Sequence, residues 1–328
     1  MLISELNITE FRGIRKCEQP IKLSKFTVLI GRNNVGKSAV LEALYMFPRP
    51  KGVDRILNRE KISVVKDILH SGSHLAYGYW GTIKLEYTVN NRQFCLTIDD
   101  HSNVKLYIDN EDRDDIADKE LKNLLQTRVE NLVDLTVLIP NNLDLLQRFD
   151  DLIRKESFRN LIMKLGLHVK AARIISECVD DIFTDIYLDT MKIRKELPDG
   201  NFFYIHVDDL GDGIKKAIRV MLVVEALKPE IILWDDFEVS AHPGLIEALL
   251  RWLAEGNWQV VLTTHSIDVL YELLNIKDKV NPEDLTVLQL AKTKDDVLVY
   301  RKLTADELED LLTANQDPRK IADLLVMR

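Results

Sequence analysis

Apolar and polar residues alternate over several stretches of the first 110 positions, which is the pattern of β-strands with one buried face. Polar, turn-like segments separate the runs after residue 80, so neighbouring runs there are expected to pair as antiparallel hairpins. The sequence therefore predicts an antiparallel β layer in this part of the chain. The runs are LISELNITEF, PIKLSKFTVLI, GTIKLEYTV, RQFCLTI and VKLYI.

The middle of the chain changes to a helical pattern. Residues 110 to 135 are acidic and predicted to be helical, and LTVLIP then predicts a short strand that stops at Pro140. From Asn141 to about Met191, apolar residues recur at three-to-four spacing, as in LDLLQRFDDLI and VKAARIISECVDDIF, which predicts a lobe of helices. The sequence contains no long heptad run, so we expect no coiled-coil arm.

Strands and helices alternate in the last third of the chain, which favours a parallel sheet. A hairpin-like segment through FFYIHV comes first, and a second hairpin, LTVLQLAKTKDDVLVYRKL, precedes a helical tail. We therefore expect a single α/β domain with a mixed sheet, composed of residues 1–140, a helical lobe inserted at 141–191, and residues 192–328. The alternating elements are DDLGDGIKKAIRVMLVVEAL, PEIILWDDFE, PGLIEALLRWLAEG and WQVVLTTHS.

A phosphate-binding loop is the strongest chemical signal in the chain. Residues 31–38, GRNNVGKS, match G-x-x-x-x-G-K-[ST] completely and lie between a predicted strand and a predicted helix. The two glycines allow backbone N–H groups to surround an anion, and the helix adds the positive end of its dipole. Lys37 is expected to reach the β- and γ-phosphates, and Ser38 to complete the shell of a Mg²⁺ ion. The nucleotide-binding residues predicted here are Gly31, Arg32, Asn33, Asn34, Val35, Gly36, Lys37, Ser38 and Ala39.

Polar residues follow two later apolar runs, at the position where open α/β sheets place their ligands. In IILWDDFE, we expect Asp235 to hold Mg²⁺ together with Ser38 and Asp236 to polarise the attacking water, with Glu238 as a second candidate base. In VVLTTHS, we expect His265 to hydrogen-bond the γ-phosphate. Without a P-loop, IILWDDFE could equally be a strand that ends in solvated acids, and a lone histidine such as His265 is usually structural. The P-loop favours nucleotide chemistry.

The segment LGDG, at residues 210–213, coincides with a predicted helix start. Its backbone N–H groups can bind an anion, which makes Gly211, Asp212 and Gly213 candidate ligands of a phosphate. Asp212 can instead simply cap the helix, and the local sequence does not separate the two interpretations.

Charge is distributed unevenly along the chain. The 328 residues include 44 basic and 53 acidic side chains, a net charge of −9, which argues against a surface that is basic everywhere. Residues 1–70 hold 13 basic and 7 acidic side chains, so any nucleic-acid footprint is expected near this end, although an ordinary solvated face is the favoured interpretation of the basic cluster. The basic residues that follow the P-loop helix are Arg49, Lys51, Arg55, Arg59, Lys61 and Lys66.

The cysteines and the apolar runs indicate the compartment. Cys17, Cys95 and Cys178 lie far apart without CxxC spacing, so neither a disulfide framework nor a zinc site is indicated. No apolar leader follows Met1, and no apolar run approaches the roughly 18 residues needed to cross a bilayer. We expect a cytoplasmic protein with reduced thiols and no membrane association.

The order of the motifs resembles a known family. EFRGI, GRNNVGKS, LGDGIKK, IILWDDFEVSAHP and LTTHS are similar to the ABC-type ATPase heads of RecF, SMC and OLD proteins, especially small AAA-family relatives of the OLD ATPase. The resemblance covers nearly the whole chain and implies an ATPase in which two heads enclose two molecules of ATP with Mg²⁺. It also implies a role in DNA repair, chromosome maintenance or anti-phage defence, with DNA as a candidate partner.

The resemblance also implies roles for individual positions. Arg12 and Gly13 would border the nucleotide, and residues 211–213 would act as the signature segment that contacts the ATP of a partner subunit. Residues 240–243 would form a dimer-contact loop. His265 would be the switch histidine.

Several positions depart from the family pattern. Gly211 stands where a serine is usual, and Asp212 places a negative charge near a phosphate, which Lys215 or Lys216 would have to offset. Asp236 stands where a glutamate is usual and is one methylene shorter, so hydrolysis is expected to be slow.

Two elements of the relatives are not evident. No clear Q-loop glutamine follows a strand, and Asn141, Asn142 and Gln147 are the stand-ins. Roughly 60 residues follow His265, too few for the Toprim nuclease that OLD proteins carry, so any nuclease activity would come from a separate partner chain.

Two other functions fit parts of the sequence. A GTPase would explain N-V-G-K-S, DDLG at 208–211 and TKDD at 293–296, but 169 residues separate Ser38 from Asp208 and TKDD lies where a hairpin turn is predicted. A nucleotide-switched binding module that scarcely hydrolyses would explain Asp212 and Asp236.

Overall fold

The computed structural model describes residues 2–69, 74–141, 146–276 and 280–321. Within these ranges the strands form a mixed sheet of 13 strands, a separate three-stranded antiparallel sheet and a two-stranded ribbon. The strands are β1 Ile3–Phe11, β2 Ile14–Cys17, β3 Ile21–Lys22, β4 Phe26–Ile30, β5 Val53–Asp54, β6 Arg59–Glu60, β7 Ile83–Val89, β8 Arg92–Ile98, β9 Val104–Ile108, β10 Glu111–Asp112, β11 Thr136–Ile139, β12 Ile182–Tyr187, β13 Lys192–Glu196, β14 Phe202–His206, β15 Ile231–Trp234, β16 Gln259–Thr263, β17 Leu285–Lys292 and β18 Val297–Leu303.

The helices pack on both faces of the large sheet. None of them, in the part of the chain that the structure describes, is long and apolar enough to cross a membrane. The helices are α1 Lys37–Met46, α2 Lys61–Ser63, α3 Asp118–Leu125, α4 Leu146–Ile153, α5 Glu156–Lys164, α6 Leu167–Ser176, α7 Asp212–Leu227, α8 Pro243–Glu255, α9 Ile267–Asn275, α10 Ala305–Thr313 and α11 Pro318–Ile321.

One half of the large sheet is parallel, in the order β17-β4-β16-β15-β11. Every residue of β4, β15 and β16 is buried, as expected for parallel strands that helices cover on both faces. Leu29, Leu233 and Val261 pack in the same core as α1, whereas Val28 and Leu262 pack in a second core with α7, α8 and α9. The sheet therefore separates two hydrophobic cores.

The other half of the sheet is antiparallel and follows the order β10-β9-β8-β7-β1-β2. β7, β8 and β9 pair as consecutive hairpins, and β7 alternates between buried and more exposed residues along its length. The predicted antiparallel layer and the α/β fold class with a mixed sheet are confirmed. The hairpin predicted around TKDD is also present, because β17 and β18 pair antiparallel across it.

The helical predictions for the middle of the chain are partly wrong. Between residues 110 and 135 the α-helical part is only Asp118–Leu125. The segment 141–191 contains three helices, but its last part forms strand β12 instead of helix. A register shift in β12 between Phe183 and Asp185 leaves Phe183 and Ile186 buried although they are three residues apart. This bulge reproduces the spacing of a helix, which explains the wrong prediction.

Of the six basic residues after the P-loop helix, three pair with acids and one is buried. Lys61 is fully buried, its Nζ donates to Thr136 Oγ1 at 2.6 Å, and burial lowers its pKa to about 8. Lys61 therefore adds nothing to a basic surface. The arginines of this cluster that pair with acids are Arg49 with Asp118, Arg55 with Asp134, and Arg59 with Asp67.

Gln259, the first residue of β16, joins three segments of the core through its buried amide. Its Oε1 accepts hydrogen bonds from the backbone nitrogens of Leu2 and Ile3, at 3.2 and 3.0 Å. Its Nε2 donates to the carbonyl oxygens of Ile3 and Ser24, at 2.7 and 3.2 Å. These bonds satisfy backbone groups that water cannot reach.

We predict that Gln259→Ala lowers the free energy of unfolding by about 3 kcal/mol, because it leaves several buried backbone groups without partners. Urea denaturation followed by circular dichroism measures the change. Gln93→Ala, at an exposed position of β8, is the matched control and should change stability by less than about 0.5 kcal/mol. Equal effects of the two substitutions would contradict the prediction.

Candidate functional site

Four adjacent parallel strands end at one edge of the sheet, and each delivers polar residues there. The P-loop follows β4, and Thr264 and His265 follow β16. Asp235 and Asp236 follow β15, and Asn141 lies two residues after β11. Because the carboxyl ends of parallel strands meet at the same edge, these side chains come together although they are far apart in sequence.

The P-loop has the backbone geometry that its glycines allow. Gly31 and Gly36 have φ values of 150° and 106°, and a Cβ on Gly31 would collide with the carbonyl oxygen of Leu290. Lys37 is buried, and its Nζ donates to the carbonyl oxygens of Gly31 and Arg32 at 3.1 and 3.0 Å. Burial lowers the pKa of Lys37, and the charges of Asp236, Asp235 and Glu238 oppose this effect. The loop thus encloses an ammonium group.

Asp235 connects the P-loop helix to two strands. Its Oδ1 accepts hydrogen bonds from Ser38 Oγ at 3.2 Å and from Thr263 Oγ1 at 2.7 Å. Burial raises the pKa of Asp235, the charge of Asp236 adds to this, and the hydrogen bonds from Thr263 and Ser38 oppose it. Thr263 Oγ1 in turn accepts from the backbone nitrogen of Asp236 at 2.8 Å.

The pair formed by Ser38 and Asp235 fits a magnesium ion chemically. A hydroxyl and a carboxylate are hard oxygen donors, and Mg²⁺ in nucleotide sites takes one or two carboxylates together with phosphate oxygens and water. In the described ranges of the chain, no group of three or more His, Cys, Asp or Glu side chains is arranged to hold a metal.

Asp236 lies between two other predicted site residues. Its Oδ2 accepts a hydrogen bond from Asn141 Nδ2 at 3.0 Å, and its Oδ1 lies 3.8 Å from Nε2 of His265. Of the three proposed stand-ins for a Q-loop glutamine, Asn141 therefore reaches the site. Gln147 is an exposed residue of α4, and Asn142 lies outside the described residues.

Glu238 is engaged by the backbone of the neighbouring loop. Its Oε2 accepts a hydrogen bond from Thr264 Oγ1 at 2.8 Å, and its Oε1 accepts from the backbone nitrogen of His265 at 2.7 Å. Both carboxylate oxygens thus join the loop after β15 to the loop after β16.

Arg12 and Gly13 occupy different surroundings. Arg12 Nε pairs with Glu42 of α1 at 3.1 Å, and its Nη2 donates to the carbonyl oxygen of Val65 at 2.6 Å. Gly13 faces the P-loop, since a Cβ there would lie 4.0 Å from Asn34 Oδ1. Gly13 therefore borders the loop, whereas the guanidinium of Arg12 pairs with buried Glu42 in the middle of α1.

The predicted signature segment starts helix α7. Gly211 is the N-cap and a Cβ there would meet open space, whereas a Cβ on Gly213 would collide with the carbonyl oxygen of Ser240. Asp212 pairs with Lys215 at 3.1 Å, so its charge is offset as the sequence required. Gly213 thus lets α7 pack closely against the predicted dimer-contact loop at 240–243.

Lys216 extends the site towards α7. The side chain is buried, and its Nζ lies 5.5 Å from the centre of the Trp234 ring. Burial lowers the pKa of Lys216 to about 8, and the charges of Asp235, Asp236 and Glu238 oppose this shift. The acids at the strand ends therefore interact with one lysine from α1 and another from α7.

The C-terminal part of the chain reaches the mouth of the P-loop, which sequence reasoning missed. No motif marks these residues, so only the tertiary contacts reveal them. Asp317, Arg319 and Lys320 line an open cavity of about 530 Å³. Its other walls are Gly31, Arg32, Asn33 and His265.

A larger cavity, of about 1290 Å³, lies at the opposite edge of the sheet. Its walls include Lys25, Glu230 and Gln259, which stand at the amino ends of β4, β15 and β16. The carboxyl ends of these strands carry the polar residues described above, so the larger cavity is separate from the candidate site.

The fold is that of SMC head domains. The SMC head domain from Thermotoga maritima matches with a TM-score of 0.52 at 15% identity, covering 92% of this chain and 99% of that one. The Smc head bound to the C-terminal domain of ScpA from Pyrococcus furiosus gives a TM-score of 0.59 at 10% identity, over 96% and 99%. An Smc head bound to the C-winged helix domain of ScpA gives 0.58 at 13% identity, over 94% and 99%.

The chain belongs to the family described as "AAA domain, putative AbiEii toxin, Type IV TA system", which matches residues 26–270. An uncharacterised protein of Methanocaldococcus jannaschii, MJECL11, is 34% identical over 74 residues. That match covers 21% of this chain and 65% of the relative, which is less than two thirds of its length. Family and fold confirm the predicted ABC-type ATPase head of the RecF and SMC class, whereas the relation to OLD proteins stays a prediction.

We predict that Asp235→Asn raises the melting temperature at pH 7. Because burial raises the pKa of Asp235 above its ordinary value of 3.8, this group favours the folded state at low pH and loses that contribution as the pH rises above 3.8. The ionised, buried carboxylate therefore destabilises the protein at pH 7. The gain from Asn should be smaller at pH 4.5 than at pH 7.

Differential scanning calorimetry at both pH values measures the effect. Asp310→Asn, at an exposed position of α10, is the control and should leave the melting temperature nearly unchanged. A lower melting temperature of Asp235→Asn at pH 7 would show that its hydrogen bonds outweigh the burial of its charge.

Proposed function

We propose that this chain binds ATP with Mg²⁺, hydrolyses it slowly and dimerises head to head when ATP is bound. One observation carries the proposal: the hydrogen bond between Ser38 of the P-loop and Asp235, which are 197 positions apart in sequence. This contact brings the serine of the phosphate-binding loop together with an acid, and these are the two protein ligands that hold Mg²⁺ in P-loop nucleotidases. The ATPase-type fold and family support it.

Each residue of the site then has a role. Ser38 and Asp235 would hold Mg²⁺, which neutralises charge on the β- and γ-phosphates. Lys37 would leave its carbonyl partners to contact the same phosphates. Asp236, which accepts a hydrogen bond from Asn141, would orient the attacking water, and His265, 3.8 Å from Asp236, would contact the γ-phosphate. Glu238 is the weaker candidate for the base because the backbone and Thr264 occupy its oxygens.

Two exposed features support the proposed dimer. Gly211 leaves the N-terminus of α7, a helix of 16 residues, open at its surface, where it can meet the triphosphate of a second copy. Ser240, His242 and Pro243 are exposed in the loop that packs on Gly213. A second copy would therefore complete the nucleotide site of the first.

The GTPase alternative is less well supported. Asp208 of DDLG pairs with Arg219 at 2.6 Å, and Asp296 of TKDD pairs with Lys292 at 2.8 Å. Both of these acids are thus held by neighbouring side chains. A nucleotide-switched module with little turnover shares the proposed binding and dimerisation and differs only in the rate of hydrolysis.

We also propose a biological setting in DNA repair, chromosome maintenance or anti-phage defence. The family description, with its "putative AbiEii toxin, Type IV TA system", favours defence within this proposal, and the resemblance of the motifs to RecF and SMC heads favours repair or chromosome maintenance. DNA and a separate nuclease chain are the candidate partners within this proposal.

Lys37→Ala should weaken ATP binding on the order of 100-fold, because a buried ammonium no longer faces the phosphates. The fold should survive, because Lys37 Nζ donates to the carbonyl oxygens of Gly31 and Arg32, both of which belong to its own loop. Isothermal titration with Mg-ATP and Mg-GTP measures affinity and preference. Lys51→Ala, at an exposed position, is the control, and tighter binding of GTP than of ATP by the unaltered protein would favour the GTPase.

Asp236→Asn should bind ATP, hydrolyse it at least about tenfold more slowly and accumulate as a dimer, because the carboxylate that orients water is lost while the phosphate contacts remain. Light scattering after size exclusion, with ATP, ADP or no nucleotide and with or without duplex DNA, measures assembly. Phosphate release measures turnover. An ATP-induced dimer without turnover in the unaltered protein would indicate the binding module, and a monomer under all conditions would contradict head-to-head dimerisation.

A further inference from the structure

A short segment near the C-terminus, residues 317–320, forms part of the wall of the cavity at the P-loop. Asp317, Arg319 and Lys320 share this cavity with His265 and with Arg32 of the loop. The roles proposed above for the nucleotide site do not use this segment. The segment places the positive charges of Arg319 and Lys320 beside the phosphate-binding loop.

A buried glutamine fixes the segment in place. Gln289 is fully buried on β17, where it pairs in register with Ile30, the last residue before the P-loop. Its Nε2 donates a hydrogen bond to the carbonyl oxygen of Pro318 at 2.6 Å. Because a hydrogen bond made by a buried amide is costly to break, the segment keeps a defined position relative to the loop.

The guanidinium of Arg319 is oriented by two partners. Its Nε and Nη2 donate to the two carboxylate oxygens of Asp317, at 2.8 and 2.7 Å. Its Nη1 donates to the carbonyl oxygen of His265. A guanidinium carries five N–H groups in a fixed plane, so two further hydrogen bonds can be donated from this position.

The charges around the cavity favour a polyanion. Arg32, Arg319 and Lys320 line it with a single acid, Asp317, and Lys37 lies behind it within the loop. The carboxylates of Asp317, Asp268 and Glu238 raise the pKa of Arg319, so it stays positively charged. The γ-phosphate of a triphosphate bound in the P-loop would lie close to these positively charged side chains.

We propose that Arg319 contacts the terminal phosphate of the nucleotide from within the same chain, and that this contact lets the site distinguish a triphosphate from a diphosphate. The inference rests on the proposed ATP-binding function. Asp317 presents the guanidinium, and the bond from Arg319 to the backbone of His265 transmits occupancy of the terminal phosphate to the loop after β16. The C-terminal segment thereby becomes part of the nucleotide site.

The test compares two nucleotides in three variants. Isothermal titration gives the Kd values for Mg-ATPγS and Mg-ADP in the unaltered protein, Arg319→Ala and Arg319→Lys. Arg301→Ala is the matched control, because Arg301 lies on β18 and pairs at the surface with Glu307 at 3.6 Å. Circular dichroism confirms that each variant is folded.

Arg319→Ala should weaken ATPγS binding about tenfold or more and change ADP binding less than about twofold, because only the triphosphate has the terminal group. Arg319→Lys should recover part of the affinity, since it keeps the charge and loses the two-pronged geometry. Arg301→Ala should leave both affinities unchanged. If Arg319 served only to order the loop, the affinities for the two nucleotides would fall together, and this result would overturn the inference.

Lys37→Ala separates failure of this inference from failure of the proposed function. If the unaltered protein binds neither nucleotide, or if Lys37→Ala binds both normally, the proposed function and the inference are both wrong. If Lys37→Ala loses binding while Arg319→Ala keeps the unaltered ratio of the two affinities, only the inference is wrong.

Discussion

The buried carboxylate of Asp235 is the interaction on which the candidate site depends. It receives Ser38 from the start of α1 and Thr263 from the end of β16, and it is itself attached to the end of β15. A single oxygen thus fixes the P-loop helix relative to two strands of the sheet. Such an arrangement is possible because parallel strands bring their carboxyl ends to one edge, where chain segments from distant positions meet.

The carboxyl edge of the sheet also brings buried lysines close to carboxylates. Either kind of charge would be costly to bury without the other. Burial lowers the pKa of Lys37 and Lys216, and the neighbouring acids oppose this effect at both lysines. Removing one ammonium would leave the acids less compensated, so the charges are held as a group. Lys216 belongs to α7, whose N-cap is Gly211, so the charges at the strand ends act on a side chain of the helix that is proposed to meet a second copy.

The sequence predicts the features that follow from a local pattern of residues. It does not predict those that depend on contacts between distant parts of the chain. Fully apolar strands such as β15 and β16, and the P-loop between β4 and α1, follow from periodicity and motif. The sequence wrongly predicts helix at strand β12, because its bulge buries Phe183 and Ile186 at helical spacing. The approach of Arg319 to His265 joins residues 54 positions apart, and no local pattern encodes it.

Glu238 and Arg319 hold the two ends of one short backbone segment. Glu238 accepts from the backbone nitrogen of His265, while Arg319 donates to the carbonyl oxygen of the same residue. The peptide groups on both sides of the histidine are therefore tied, one to the loop after β15 and the other to the C-terminal segment. A ligand that shifts any of these three segments must strain or replace the bonds to the other two. Coupling of this kind is reciprocal in free energy, so a ligand that stabilises the C-terminal segment in this position also stabilises the observed position of His265, and the reverse holds equally.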